Sequence, residues 1–234
     1  AAVWPGPLTL VAQKRADSGV SELVTAGLRT LAVRVPAHPL AQALLRAFGG
    51  PVAAPSANIS GEVSPTMAGH VLEAFGGRIA AVLDGGPCPV GVESTVIGFD
   101  GGQPVLLRPG GLEVEVASEI LGRALIPDRG DSVRAPGQLA SHYAPGAALR
   151  LNADRPQPGE AWLGFGLDPD GIAGAALNLS EEGDLTQAAA NLFAHLRALD
   201  AMLGGRGTIA VARVPKHGLG LAINDRLTRA AAER

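Results

Sequence analysis

TLAVRVPAHPLAQALLRAFGGPVAA, residues 30–54, decides the fold class. Residues 30–35 are apolar or β-branched apart from Arg34, and Pro36 stops them, so they read as a strand. Pro39 to Phe48 repeats its apolar positions at helical spacing and meets Gly49-Gly50, a helix with a glycine stop. Residues 51–54 then predict a second strand. A strand, a helix and a strand within 25 residues point to an α/β or α+β sheet domain.

The pattern extends both ways. Residues 8–12 read as a strand, and so do 79–83, 94–99 and 104–108. Ser64-Pro65-Thr66 predicts a helix start, with Ser64 as N-cap and Pro65 at the first helical position, and Gly76-Gly77 its end. A short helix is expected over 113–121. The Pro- and Gly-rich stretch 123–147 breaks the alternation and reads as a linker. A second α/β pattern follows, with strands at 148–152, 161–165, 174–178 and 208–213. Asp184 to Leu203 is the clearest helix, its apolar stripe running through Leu185, Ala188, Ala189, Leu192, Phe193, Leu196, Leu199 and Leu203. A helix over 219–232 closes the chain. The expected division is 1–122, linker 123–147, and 148–234. The last part shows no site of its own and reads as a scaffold or interaction domain.

Composition narrows the function. Hydrophobic residues are 47% of 234, enough for a sizeable core, yet aromatic residues are 3%, so that core is aliphatic. The 32 glycines and 18 prolines fall between apolar runs and imply many tight turns. A net charge of −3 with no basic block argues against tight direct nucleic-acid binding. Cys88 is the single cysteine, so no intrachain disulfide can form, which fits a reducing, cytoplasmic setting. No apolar run is long enough for a membrane span, and no signal peptide is evident. The sequence opens Ala1-Ala2-Val3 without Met and reads as a start inside a larger one.

Several residues could carry chemistry. Ser56 and Asn58 follow a predicted strand end, where α/β sheets place ligands, although both also suit plain turn backbone. Ser64 at a helix start could meet an anion, or act only as a cap. Arg34 sits between Val33 and Val35; a guanidinium buried there needs a bidentate carboxylate, an internal salt bridge, or the solvated face. Gly91-Val92-Glu93-Ser94-Thr95 precedes a strand and supplies hydroxyls. Arg108-Pro109-Gly110-Gly111 ends one and could clamp a phosphate or lie on the surface. Ser141-His142-Tyr143-Ala144-Pro145 reads as a flap. No His/Cys/Asp cluster has metal-ligand spacing, and the sequence holds neither a Walker-type phosphate loop nor a Gly-x-Ser-x-Gly elbow.

Taken in order, Trp4-Pro5-Gly6-Pro7-Leu8-Thr9, Val33-Arg34-Val35-Pro36, Ala54-Pro55-Ser56-Ala57-Asn58, Gly91-Val92-Glu93-Ser94-Thr95 and Leu107-Arg108-Pro109-Gly110 resemble the threonylcarbamoyl-AMP synthase family. His142-Tyr143-Ala144-Pro145, Gly218-Leu219-Gly220 and Ile223-Asn224-Asp225-Arg226 look like its longer, two-domain Sua5-type branch. The resemblance covers nearly the whole chain. It implies a twisted mixed sheet with helices (YrdC-like) plus a smaller Rossmann-like α/β C-terminal domain.

It also implies a reaction: L-threonine, bicarbonate or CO2, and ATP with Mg²⁺ give threonylcarbamoyl-AMP and pyrophosphate. Downstream tRNA threonylcarbamoyl-transfer proteins then modify adenosine 37. By similarity, Thr30, Ser56, Ser64, Arg108 and Tyr143 would contact ATP, with Tyr143 closing the linker over it. Arg34, the Ala54 backbone and Ser94 would contact threonine, and Asn58 is a possible addition. No catalytic side chain and no protein metal ligand is implied. The family's N-terminal segment, with a Pro-Thr-Glu-Thr-like and a Lys-x-Arg motif, does not occur in the sequence. A chain truly shortened there is expected to turn over poorly, and adding the segment to restore pyrophosphate release. The competing reading is a non-catalytic nucleotide- or RNA-binding module of the same fold; another is a relative activating a different carbamoyl group.

Overall fold

The computed structural model describes residues 2–128 and 142–232. They divide into two compact units. One takes those within 1–55 and 93–138, the other those within 56–92 and 139–234. The sequence pattern predicted a division along the chain. Packing instead groups 56–92 with the C-terminal part.

The first unit is a five-stranded mixed sheet. Its strands are β1 (Leu8–Gln13), β2 (Thr30–Arg34), β3 (Thr95–Asp100), β4 (Gln103–Arg108) and β5 (Ile126–Pro127), in the order β2-β1-β3-β4-β5. β1 runs antiparallel to β2 and parallel to β3, and β3–β4 is an antiparallel hairpin turned by Gly101-Gly102. Val11, Val96, Val105 and Leu107 form one small apolar cluster, and Leu8, Ile97, Leu112 and Ala117 another. Helix α1 (Pro39–Phe48) obeys its sequence signals: His38 Nδ1 accepts from Leu40 N at 3.2 Å, and Gly49 ends the helix at φ 75°.

The second unit holds helix α2 (Ala68–Phe75) and a four-stranded parallel sheet. The sheet strands are β6 (Ala148–Ala153), β7 (Ala161–Gly164), β8 (Ala176–Asn178) and β9 (Thr208–Ala212), in the order β6-β9-β7-β8. Helices α4 (Leu185–Met202) and α5 (Leu219–Ala230) cover it. The Asp184 carboxylate caps α4 by accepting from Thr186 N and Gln187 N. Its stripe Ala188, Ala189, Leu192, Phe193, Leu196 and Leu199 is fully buried. These residues join Leu163, Ile209, Val211, Ile223 and Leu227 in one large core, which Val63, Val92 and Tyr143 enter from the connecting segments. Gly91 lies against α4 at φ 72°; a Cβ there would overlap the Ala189–Ala190 backbone.

Helix α3 (Val114–Leu121) matches its expected span, and four expectations need correction. Residues 51–54 and 79–83 are not strands. Val52, Ile79 and Leu83 are exposed, and Pro51 and Pro55 lack donors for a ladder. Ser64 is not an N-cap, because α2 starts only at Ala68 behind Met67. Residues 142–147 are not loose linker, since Tyr143, Ala144 and Ala147 are buried. Ser141 and the centre of the expected linker lie outside the described residues. None of the described helices is long and apolar enough to cross a membrane.

Candidate functional site

One rung crosses four strands of the first sheet. Arg34 of β2 pairs with Thr9 of β1, Thr9 with Val96 of β3, and Val96 with Arg108 of β4. The rung lies where β2 and β4 end and where β1 and β3 begin. The β3–β4 register slips beside Val96, so Leu107 is the extra residue and Arg108 comes opposite Val96.

Hydrogen bonds knit this end of the sheet. Thr9 Oγ1 and Ser94 Oγ lie 2.7 Å apart. Arg108 Nη2 donates to the Ser94 carbonyl at 2.9 Å, which offsets the cost of holding the arginine only 6% exposed. Arg34 Nε donates to the Gly6 carbonyl at 3.1 Å, Gly6 N to Val35 O, and Thr95 N to Pro7 O. The turn after Arg108 is fastened to the segment before β3. Gly111 N donates to Glu93 O, while Thr95 Oγ1 donates to Leu112 O and accepts from Leu112 N. Gly110 must be glycine, because a Cβ would overlap the backbone of Glu93, Ser94 and Thr95.

Arg34 is exposed, which corrects the reading of a buried guanidinium and selects the solvated alternative. One edge of its fork is fixed on Gly6 O. Two arginines anchored on backbone carbonyls and two hydroxyls bonded to each other, at one end of the sheet, suit anionic oxygens, the carboxylate and phosphate geometry that guanidinium matches best.

Arg34, Ser94 and Arg108 all lie at this end of the sheet. Thr30 is not with them: it starts β2 opposite Gln13, four residues and about 13 Å from Arg34. Ala54 is exposed and outside the sheet. Thr9 completes the cluster and was not singled out in the sequence; a hydroxyl opening an otherwise apolar strand was its one signal.

The other expected residues belong to the second unit. Ser56 is exposed. Asn58 closes a turn by donating from Nδ2 to Ile59 O at 2.8 Å and Glu62 O at 3.2 Å. Its Oδ1 is buried without a hydrogen-bond partner among the described residues, as is Thr66 Oγ1, a second residue the sequence did not flag. Ser64 is 6% exposed, and the Val63 and Ser64 carbonyls accept from Arg197. His70 Nδ1 accepts from Thr66 N; burial, and then the nearby Arg197, pull its pKa below the ordinary 6.5.

Tyr143 corrects its expected role as a lid. It is 1% exposed, stacks on Phe193 at 5.4 Å, and carries the Arg226 guanidinium 5.5 Å above its ring. The backbone around it is equally fixed: Ala144 N donates to Gly61 O, and His142 N to Arg229 O. Its place is in the core of its unit.

Fold and site define an α/β protein of two units, one of which carries two arginines and two hydroxyls at one end of its sheet. Comparison with known proteins then gives the family. A model described as "Telomere recombination" matches residues 1–110, and one described as "Threonylcarbamoyl-AMP synthase, C-terminal domain" matches residues 112–232. Threonylcarbamoyl-AMP synthase of Bacillus subtilis is 40% identical over 99% of this chain and 71% of its own length. That of Pyrococcus abyssi is 40% identical over 99% and 72%. The crystal structure of P. abyssi Sua5 complexed with L-threonine superposes with a TM-score of 0.86 at 38% identity, covering 98% of this chain and 72% of that one. The chain belongs to the threonylcarbamoyl-AMP synthase family.

Proposed function

We propose that the chain forms L-threonylcarbamoyladenylate and pyrophosphate from L-threonine, bicarbonate or CO2, and ATP, in the cytoplasm. The product would pass to tRNA threonylcarbamoyl-transfer proteins acting on adenosine 37. The observation that carries this reading is the rung Arg34–Thr9–Val96–Arg108 with Ser94 bonded to it, in a chain 40% identical to named synthases.

The chemistry suits the site. Threonine's amine, once neutral, captures CO2, and a carbamate oxygen attacks the α-phosphate as pyrophosphate leaves in line. No protein nucleophile is needed; positioning, charge neutralisation and exclusion of water are. Arg34 would take the threonine carboxylate, with Ser94 and the Ala54 backbone beside it. Arg108, Thr30, Ser56 and Ser64 would serve ATP, and the unspent Asn58 Oδ1 would accept a ligand donor. Tyr143, being enclosed, would act by holding its segment in place. Mg²⁺ would ride on the phosphates.

The test is pyrophosphate release from ATP with threonine and bicarbonate each omitted in turn. Release that requires both supports the reading. ATP binding without threonine-dependent release favours the non-catalytic nucleotide- or RNA-binding module, and release with another carbamoyl donor in place of threonine favours the third reading.

A further inference from the structure

The second unit carries a cleft that the proposed reaction does not use. Its volume is about 510 Å³, within the range of small-molecule sites, and Asn152, Val211, Lys216, Asn224 and Thr228 are among its walls. Asn152 stands near the end of β6 and Val211 near the end of β9, neighbouring parallel strands. The cleft therefore opens at the carboxyl ends of a parallel sheet, the side on which such sheets bind ligands. Asn152 adopts φ 57°, unusual for a residue with a side chain, where the β6–β9 register also breaks. Strain of this kind concentrates at binding sites.

Asn224 is fixed through its amide, and the exposed Lys216 and Thr228 share the wall with it. Asn224 Nδ2 donates to the carbonyls of Val214 at 3.1 Å, Pro215 at 3.2 Å and Gly220 at 2.8 Å, which pins the loop carrying Lys216. Asn224 Oδ1 has no partner among the described residues, and there the Lys216 ammonium and the Thr228 hydroxyl make no hydrogen bond or ion pair. The one carboxylate in the wall, Asp225, is committed: Oδ1 accepts from Arg229 Nε at 3.1 Å and Oδ2 from Arg226 Nη1 at 2.8 Å. Lys216 is a second cation in a cleft whose walls also hold Arg229, which shares Asp225 with Arg226, and the apolar Leu151, Val211 and Leu221.

We propose that this cleft binds the phosphate group of a small phosphorylated ligand of nucleoside-monophosphate size. Lys216 and Thr228 hold the phosphate, Asn224 Oδ1 accepts a donor of the ligand, and Leu151, Val211 and Leu221 pack against its body. The inference stands independently of the synthase reading.

Titration of the full chain with AMP, inorganic phosphate and adenosine, followed by backbone amide chemical shifts, tests it. AMP is expected to shift the amides of Lys216, Asn224 and Thr228. Lys216→Glu and Thr228→Leu are each expected to weaken that response at least tenfold, with circular dichroism unchanged. Phosphate that binds as tightly as AMP identifies the free ion as the ligand; weaker binding identifies the monoester. No shift at these amides with millimolar AMP or phosphate overturns the proposal. So does a response that survives both substitutions, or adenosine binding as tightly as AMP.

Discussion

Arg34 and Arg108 occupy the two ends of one four-strand rung, three strand spacings or about 14 Å apart, with the bonded hydroxyls of Thr9 and Ser94 at its centre. A guanidinium on a three-carbon stem spans half that distance, so both arginines can reach one ligand of amino-acid-adenylate length. Their environments differ. Arg34 is exposed and holds Gly6 O through Nε, whereas Arg108 is buried and anchored on Ser94 O.

Arg34→Ala should weaken L-threonine binding by about 1.5–3 kcal/mol, the worth of a charge-assisted hydrogen bond, or roughly ten- to a hundredfold in Kd. The exposure of Arg34 keeps the loss within that range, because no buried charge is left unpaired. Arg34→Lys keeps the charge and loses both the fork and the Nε contact with Gly6 O, so it should recover only part. Calorimetric titration with threonine reads both; an unaltered affinity removes Arg34 from the site.

Thr9 and Ser94 should behave as one unit. Thr9→Val and Ser94→Ala each break the same 2.7 Å contact and should each raise the KM for threonine. In a double-mutant cycle on unfolding free energy their coupling should be about 0.5–1.5 kcal/mol. Strict additivity would show that the hydroxyls act separately.

What the sequence made legible, and what it did not, follows from where the signals come from. Helices α1 and α4 were legible because their ends are written in local chemistry: His38-Pro39 and Gly49 for one, Asp184 for the other. The central strands were legible from β-branched runs. Residues 51–54 and 79–83 carry similar runs, but no neighbour supplies a ladder and their apolar side chains stay exposed, a tertiary fact that local pattern does not hold. Arg34 and Arg108 each had a bland reading at their own positions; only register brings them to one rung, to which Ser94 is hydrogen-bonded. Tyr143 misled because Pro and Gly neighbours read as loop, while its ring packs on Phe193, fifty residues away in sequence.

Gly110→Ala should cost about 1–3 kcal/mol or more, since the clash is with backbone atoms and the turn cannot yield without pulling Ser94 and Arg108 apart. Gly50→Ala, where the nearest atom to a Cβ is a Phe48 ring carbon at 3.7 Å, should be close to neutral. Comparison of denaturant midpoints separates them, and equal midpoints would refute the steric account of the turn.

Tyr143→Ala distinguishes a core residue from a lid. Removal of a ring packed against Phe193 and capped by Arg226 should destabilise the second unit by about 3–5 kcal/mol. Tyr143→Phe keeps the stacking and should cost far less. A lid would show the reverse: unfolding unchanged in Tyr143→Ala and a raised KM for ATP alone.

His195 is expected to contribute to the acid sensitivity of the second unit. It lies within α4, partly buried, and its Nδ1 is enclosed without a hydrogen-bond partner among the described residues. Burial lowers its pKa below 6.5, and His70 is shifted the same way. Below pH 6.5 the unfolded chain therefore takes up protons that the folded chain refuses, so stability is complete above that value and declines as pH falls through it toward the folded pKa values. Thermal unfolding from pH 7.5 to 5 should show a falling Tm. In His195→Gln, which stays neutral throughout, the slope should be shallower by one histidine's share. An identical slope in the variant would assign the acid sensitivity to other groups.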